Sequence, residues 1–89
     1  MQVKDTSRKF NLKGGEMAVF EASDENVSGT DEYYGYLNAD GAWIIQYIDR
    51  STQPVPYRFV AGTSDYSTAW GNRASLEYGY YNAIFPTIQ

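Results

Sequence analysis

Residues 32–50 have the sequence EYYGYLNADGAWIIQYIDR, in which two stretches rich in aromatic and β-branched residues flank Asp40-Gly41. An Asp-Gly pair between two such stretches is typical of a β-hairpin, because glycine adopts the positive φ of a tight turn without a steric penalty. The segment therefore predicts a hairpin with strands over residues 32–38 and 42–50.

The second strand of this hairpin is apolar on both faces. Side chains alternate along a strand, so one face carries Trp43, Ile45 and Tyr47 while the other carries Ile44 and Ile48. We expect the rest of the fold to cover one face, and a helix, the N-terminal arm or a partner to cover the other.

A third strand is predicted after the loop sequence Ser51–Pro54. Pro56 cannot donate a hydrogen bond to a sheet, so this strand is expected to run from Tyr57 to Ala61. Three consecutive strands joined by short connections form a meander.

Past Gly62, apolar side chains recur at intervals of three and four residues. This spacing predicts a helix over residues 65–75, with Ser64 or Asp65 as its N-cap. Residues 76–85 fit either a continuation of the helix or, in their first half, a strand.

Charge separates the first 32 residues from the rest. Residues 1–13 carry four basic side chains and one acidic side chain, whereas residues 14–32 carry six acidic side chains and no basic one. Polar, glycine-containing links surround Met17–Phe20, which fits one short strand. We expect residues 1–32 to form an extended N-terminal arm and residues 33–89 to form the compact domain.

Together these elements predict a mainly β (α+β) fold. Its expected parts are a three-stranded antiparallel meander, a C-terminal helical segment and the extended N-terminal arm.

The composition excludes several classes of function. The 89-residue chain has neither cysteine nor histidine, so it lacks disulfides, the usual zinc ligands, and Ser-His or Cys-His nucleophile pairs. Gly14-Gly15 is not followed by the lysine of a phosphate-binding loop. We expect no cofactor, and we predict that the protein is not an enzyme.

Each remaining carboxylate candidate has a simpler structural role. Asp40 belongs to the predicted turn and Asp65 to the start of the helix, which leaves Asp49 and Glu77 as the candidates for a small carboxylate enzyme. An active-site cleft is hard to build in a domain of this size. The acidic groups at 24–26 and 31–32 match no calcium-loop spacing. We expect a solvated acidic linker there, and neither catalytic nor metal-binding residues.

Two kinds of partner are not expected. The net charge of −4 argues against nucleic acid, because nonspecific affinity for nucleic acid requires a basic surface. The sequence has no apolar run of about 18 residues, and its first 13 residues lack the apolar stretch of a secretory signal, so we expect no membrane partner.

Aromatic residues make up 17% of the chain, which is enough for a few large rings to close a small core. The rings assigned to the core are Trp43, Tyr47, Phe59 and Trp70. The rings left open between core and surface are Tyr33, Tyr34, Tyr80 and Tyr81. If exposed, such tyrosines suit sugar faces or protein interfaces.

Two stretches, YYGYLNADGAWIIQ at Tyr33–Gln46 and YRFVAGTSDYSTAWGNRASLEYGYY at Tyr57–Tyr81, resemble segments of small structural proteins of tailed bacteriophages. The resemblance covers the last two-thirds of the chain and brings no catalytic residue with it. It implies a virion component near the tail, its fibres or the neck, made in the host cytoplasm. The implied partners are other virion proteins and copies of the chain itself.

The first function hypothesis is a structural and assembly protein that binds neighbouring subunits through its arm and aromatic sheet. It assumes that this short chain has more apolar ring surface than its interior can bury. The expected interface residues are Phe10, Leu12, Met17, Val19, Phe20, Tyr33, Tyr34, Ile44 and Ile48. The alternative is a small carbohydrate-binding module in which exposed tyrosines and Trp43 or Trp70 stack on glycan rings.

Overall fold

The computed structural model describes residues 9–11 and 19–81, and within them the chain is mainly β. An antiparallel sheet has its strands in sequential order, with four longer strands and one short strand at its edge. The strands are β1 Lys9–Asn11, β2 Val19–Ser28, β3 Asp31–Leu37, β4 Trp43–Asp49 and β5 Tyr57–Gly62. A short helix, α1 Tyr66–Gly71, and a 3-10 turn, Arg73–Ser75, follow the sheet.

The β3–β4 hairpin forms as the sequence predicts. Asn38 Oδ1 accepts the backbone N–H groups of Asp40 and Ala42, both at 2.9 Å, and Gly41 adopts φ 92°. This turn sets the register from Leu37 opposite Trp43 to Asp31 opposite Asp49. The expected third strand is confirmed as β5, so the three predicted strands do form a meander.

The predicted helix is confirmed over its first half. Asp65 occupies the N-cap position at φ 61°, but its side chain makes no capping hydrogen bond. The chain is not helical at residues 76–80. Gly79 exchanges two backbone hydrogen bonds of 2.9 Å with Phe59, which adds an isolated bridge beside β5. Residues 82–85 of the expected segment lie outside the described residues.

The N-terminal arm is corrected over residues 19–32. Ten of these residues form β2, which pairs with β3 along most of its length. The expected domain boundary at residue 33 lies inside β3, so it cuts through a strand of the sheet. β2 joins the sheet because the two-residue turn Gly29-Thr30 folds it back against β3. In this turn Gly29 has φ 61° and Ser28 lies opposite Asp31. Phe20, 5% exposed, anchors the other end of β2 in the core. Residues 1–8 and 12–18 of the arm lie outside the described residues.

Both faces of β4 are buried within one protomer. On the face covered by α1, here called the helix side, Trp43 and Ile45 pack with Ala69. On the opposite face Ile44 belongs to a second cluster. The members of that cluster are Phe20, Tyr36, Ile44 and Phe59. The apolar pattern on both faces of β4 is therefore accounted for by the chain itself.

Candidate functional site

Within residues 9–11 and 19–81, the outer edge of β2 has a partner strand only at its start. In the described part of the chain, β1 pairs only with Val19–Glu21, which leaves Ala22–Ser28 bonded to β3 on the inner side alone. All residues of this open stretch except Asn26 are exposed, and Val27 is 53% exposed. An edge of this kind presents backbone donors and acceptors to any further strand. We call Ala22–Ser28 the β2 edge.

A β-bulge at Ser23 shapes the β2 edge. The register changes between Ala22 opposite Tyr36 and Asp24 opposite Gly35, so Ser23 has no residue across from it. Beside the bulge lies an open cleft of about 140 Å³. The residues that line it are Ala22, Ser23, Asp24, Glu25, Tyr34, Gly35 and Tyr36.

Helix α1 is tied to the β2 edge across β3. Tyr66 Oη donates a hydrogen bond of 2.8 Å to Asp24 Oδ2, and the Tyr66 ring lies against Gly35 on the way. A Cβ atom at Gly35 would overlap the Tyr66 hydroxyl and lie 2.9 Å from its Cζ, so the crossing requires a residue without a side chain. This tether holds the side chain of Asp24, one of the residues that line the cleft.

The Tyr66 hydroxyl remains a donor well above neutral pH. Burial and, next, its hydrogen bond to the Asp24 carboxylate raise the pKa of Tyr66 far above the usual value for tyrosine. Ser23 Oγ donates to the same Asp24 oxygen at 3.0 Å. Two donors therefore hold the Asp24 carboxylate in place beside the bulge.

Acidic side chains dominate the β2 edge and its approach. Glu21, Asp24 and Glu25 lie within five consecutive positions of β2, and all are exposed. In residues 19–81, the Glu25 side chain has no hydrogen bond or ion pair. The three arginines of this region lie elsewhere: Arg50 pairs with Glu32 at 2.7 Å, while the other two contact aromatic rings. A ligand approaching β2 thus meets negative charge.

Several residues expected at an interface lie inside the protomer. Ile44, Ile48 and Phe20 are 0%, 3% and 5% exposed. They belong to the core on the face opposite α1, and this placement corrects the expectation that they contact a neighbour. The reason is that the chain covers both faces of β4.

The remaining expected interface residues are scattered. Tyr34 is half-buried and lines the cleft, where its Oη donates to Glu32 Oε1 at 2.8 Å. Tyr33 stacks on Tyr47 with a centroid separation of 4.9 Å, and Val19 is half-buried at the start of β2. Phe10 is paired with Phe20 in the register of β1. Leu12 and Met17 lie outside the described residues.

Neither tryptophan offers an open platform for a sugar ring. Trp43 is 7% exposed and donates its indole N–H to the Ser64 carbonyl at 2.6 Å. Trp70 is half-buried, and the Arg73 guanidinium lies 4.6 Å from the centre of its ring. Tyr80 is 63% exposed and lies 4.2 Å from the Arg58 guanidinium. Among the described residues, the exposed aromatic side chains are Tyr80 and Tyr57, and Tyr57 is 44% exposed.

The carboxylates considered for catalysis lie in turns or on the surface. Asp49 accepts hydrogen bonds from the Ser51 backbone and from the hydroxyls of Ser51 and Thr52, which hold the pKa of Asp49 below its usual value. Asp40 lies in the β3–β4 turn, and Glu77 is exposed. Among the residues that the structure describes, no three acidic side chains are arranged to hold a metal ion.

Comparison with known proteins adds no relative. No family profile matches the chain, and no curated protein or solved structure is significantly similar to it. Across residues 9–11 and 19–81, no helix has the length and apolar character needed to cross a membrane. The β2 edge and its cleft therefore have to be interpreted from their own chemistry.

Proposed function

We propose that this protein is a non-enzymatic structural and assembly protein whose β2 edge accepts an extended segment of a neighbouring subunit. The observation that carries the proposal is the outer side of Ala22–Ser28, which has no partner strand among the described residues, next to a buried apolar core. A strand added to such an edge gains main-chain hydrogen bonds, and side-chain pockets beside it supply specificity. The cleft at Ser23 is positioned to be one such pocket.

A place in a virion is the second part of the proposal. It is supported by the resemblance of Tyr33–Gln46 and Tyr57–Tyr81 to small structural proteins of tailed bacteriophages. The neighbours would then be other virion proteins or further copies of this chain, near the tail, its fibres or the neck. The protein would be made in the host cytoplasm and function in the assembled particle.

Site-directed spin labelling tests which surface is covered on assembly. The chain has no cysteine, so Val27→Cys and Thr68→Cys each give a single labelling site. Both native side chains are exposed, the first on the β2 edge and the second on α1. We expect the label at position 27 to lose mobility when the protein joins its particle or self-associates, while the label at position 68 keeps its mobility.

Two results would overturn the proposal. One is a chain that stays monomeric by light scattering at all concentrations and does not bind its own virion. The other is assembly that immobilises position 68 and leaves position 27 unchanged, because the contact would then be made by α1.

Glycan binding is a second candidate, favoured by the exposed Tyr80 ring and the adjacent Arg58 guanidinium. One face of the ring lies against the cation, so the other could stack on a sugar. Titration of a broad glycan panel with tyrosine and tryptophan fluorescence tests this candidate. A bound glycan should be lost in Tyr80→Ala and retained in Tyr57→Ala, and no response to any glycan would dispose of it.

A further inference from the structure

We infer that the strand accepted by the β2 edge is basic and comes from the N-terminal segment, residues 1–13, of a second copy of this chain. This inference rests on the proposed function and names its partner. It follows from the charge of the β2 edge, the register of β1 and the lining of the cleft.

The charge of β2 selects against a second β2 strand. In an antiparallel pair of two Ala22–Ser28 stretches centred at Glu25, Glu25 of one copy would face Glu25 of the other. Like charges placed directly opposite each other destabilise strand pairing. Charge and a bulge are also the features by which edge strands avoid pairing with their own kind. The occupant should therefore carry positive charge.

The N-terminal segment supplies that charge. Residues 1–13 have a net charge of +3, from Lys4, Arg8, Lys9 and Lys13 against Asp5, whereas residues 14–32 carry six acidic side chains and no basic one. No other stretch of the 89 residues concentrates basic side chains in this way. The two oppositely charged parts of the sequence are thus complementary as strand and edge.

The register of β1 shows how this segment meets β2. Lys9 lies opposite Glu21 and Asn11 opposite Val19, so the antiparallel pairing runs from residue 11 back toward residue 9 as β2 advances. Exchange of an identical element between protomers repeats such a pairing between two copies and is a low-cost route to association.

The cleft fits a lysine or arginine side chain of the incoming strand. Its lining includes Glu25, Tyr34 and Tyr36, whose side chains share the face of the sheet opposite α1. The Asp24 carboxylate is bonded to Tyr66 on the helix side. Carboxylates pair with a cation, and aromatic faces attract it further. A cavity of about 150 Å³ holds a benzene molecule, so a cleft of about 140 Å³ has room for the end of one long side chain.

A charge-swap experiment with full-length chains tests the inference. Lys4→Glu/Arg8→Glu makes the N-terminal segment acidic, and Glu21→Lys/Glu25→Lys makes β2 basic. Asp24 is left unchanged because it holds Tyr66. Asp40→Lys/Glu77→Lys is the matched control for the second variant, since it changes the net charge equally at exposed positions away from the β2 edge. Circular dichroism establishes that each variant is folded.

Sedimentation velocity then reads the association of each protein. We expect each swapped variant alone to self-associate more than about tenfold more weakly than the native chain, because like charges oppose each other across the edge. An equimolar mixture of the two variants should associate again, since each segment then meets an edge of opposite charge. The control should associate as the native chain does.

The outcomes separate this inference from the proposed function. If Lys4→Glu/Arg8→Glu associates as tightly as the native chain while the label at position 27 is still immobilised, the segment is not the occupant, but the β2 edge is still an assembly surface. If the mixture of variants fails to associate where the native chain does, the charge pairing is refuted. If no condition immobilises position 27, both proposals fail.

Discussion

Replacement of Gly35 by alanine should destabilise the protein by breaking the link between α1 and β2. The new Cβ would overlap the Tyr66 hydroxyl and would lie 2.9 Å from Tyr66 Cζ and 3.1 Å from Trp70 Cε3. Because the two nearest of these atoms belong to one ring, Tyr66 has to withdraw from β3. Its hydrogen bond to Asp24 Oδ2, 2.8 Å long, is then lost.

The expected loss in the free energy of unfolding is about 1.5–4 kcal/mol. A hydrogen bond to a charged group contributes about 1.5–3 kcal/mol, and we take the lower end because this bond is exposed. Overpacking adds about 1–3 kcal/mol, and the smaller entropy loss of alanine returns about 0.5–1 kcal/mol. The free energy of unfolding of a native protein is only about 5–15 kcal/mol, so this loss should shift the urea midpoint clearly.

The assay is equilibrium unfolding in urea, followed by the fluorescence of the two tryptophans. Gly71→Ala is the matched control, since a Cβ there meets nothing within 4 Å. In a Tyr66→Phe background the hydroxyl is gone, so Gly35→Ala should cost less by about 1 kcal/mol or more. A Gly35→Ala protein as stable as the native chain, or a cost unchanged by Tyr66→Phe, would refute the tether.

Three further predictions concern single positions. Gly62→Ala should displace the Trp43 ring, because the new Cβ would lie 2.5 Å from Trp43 Cε2. Tryptophan emission should shift to the red, and the free energy of unfolding should fall by about 1–3 kcal/mol. Unchanged emission would contradict this packing. Asp65→Gly should stabilise the chain by about 1 kcal/mol in urea unfolding, since Asp65 has φ 61°, and Asp65→Ala should show no such gain. Burial, and next the hydrogen bond to Asp31, raise the pKa of Tyr47 to about 12 from 10.0. The stability that this group contributes is therefore complete below pH 10 and lost as the pH rises toward 12, and Tyr47→Phe should reduce the alkaline loss seen in urea titrations. A Tyr47→Phe protein with the same alkaline loss would show that other groups cause it.

Local features of the sequence were sufficient for the middle of the fold. The β3–β4 turn depends on Asn38 and Gly41, which are adjacent to the strands they join. The start of β5 follows from Pro56, and the start of α1 from the spacing of apolar residues. Each of these depends on contacts close in sequence, which is why the residue pattern alone predicts them.

β2 was predicted only at Val19 and Phe20, and the rest of it was missed although its turn has a recognisable sequence. Ser28-Gly29-Thr30-Asp31 places glycine at the first position of a two-residue hairpin turn, which is one of the patterns that favour a hairpin. The acidic residues around this turn are typical of a solvated linker, which is why the hairpin was not predicted. Strand propensity is weak in such a stretch, and pairing with the aromatic β3 determines the outcome.

The site itself could not be predicted from local pattern. The cleft needs the bulge at Ser23 and a hydrogen bond between Asp24 and Tyr66, which are 42 residues apart. The extent to which the chain covers its own rings could not be predicted for a related reason, although Tyr57 and Tyr80 remain 44% and 63% exposed. Gly35 and Gly62 allow Tyr66 and Trp43 to lie directly on the sheet, so a short chain covers more of its own apolar surface than its composition indicates.

Amide hydrogen exchange along β2 tests the central claim most directly. In the free protein, the amides of Ala22–Ser28 that point away from β3 should exchange rapidly, while those bonded to β3 are protected. On assembly with a neighbouring subunit, the outward amides should become protected as a strand is added. If they continue to exchange at the rate of the free protein in the assembled state, the β2 edge is not the surface through which this protein assembles.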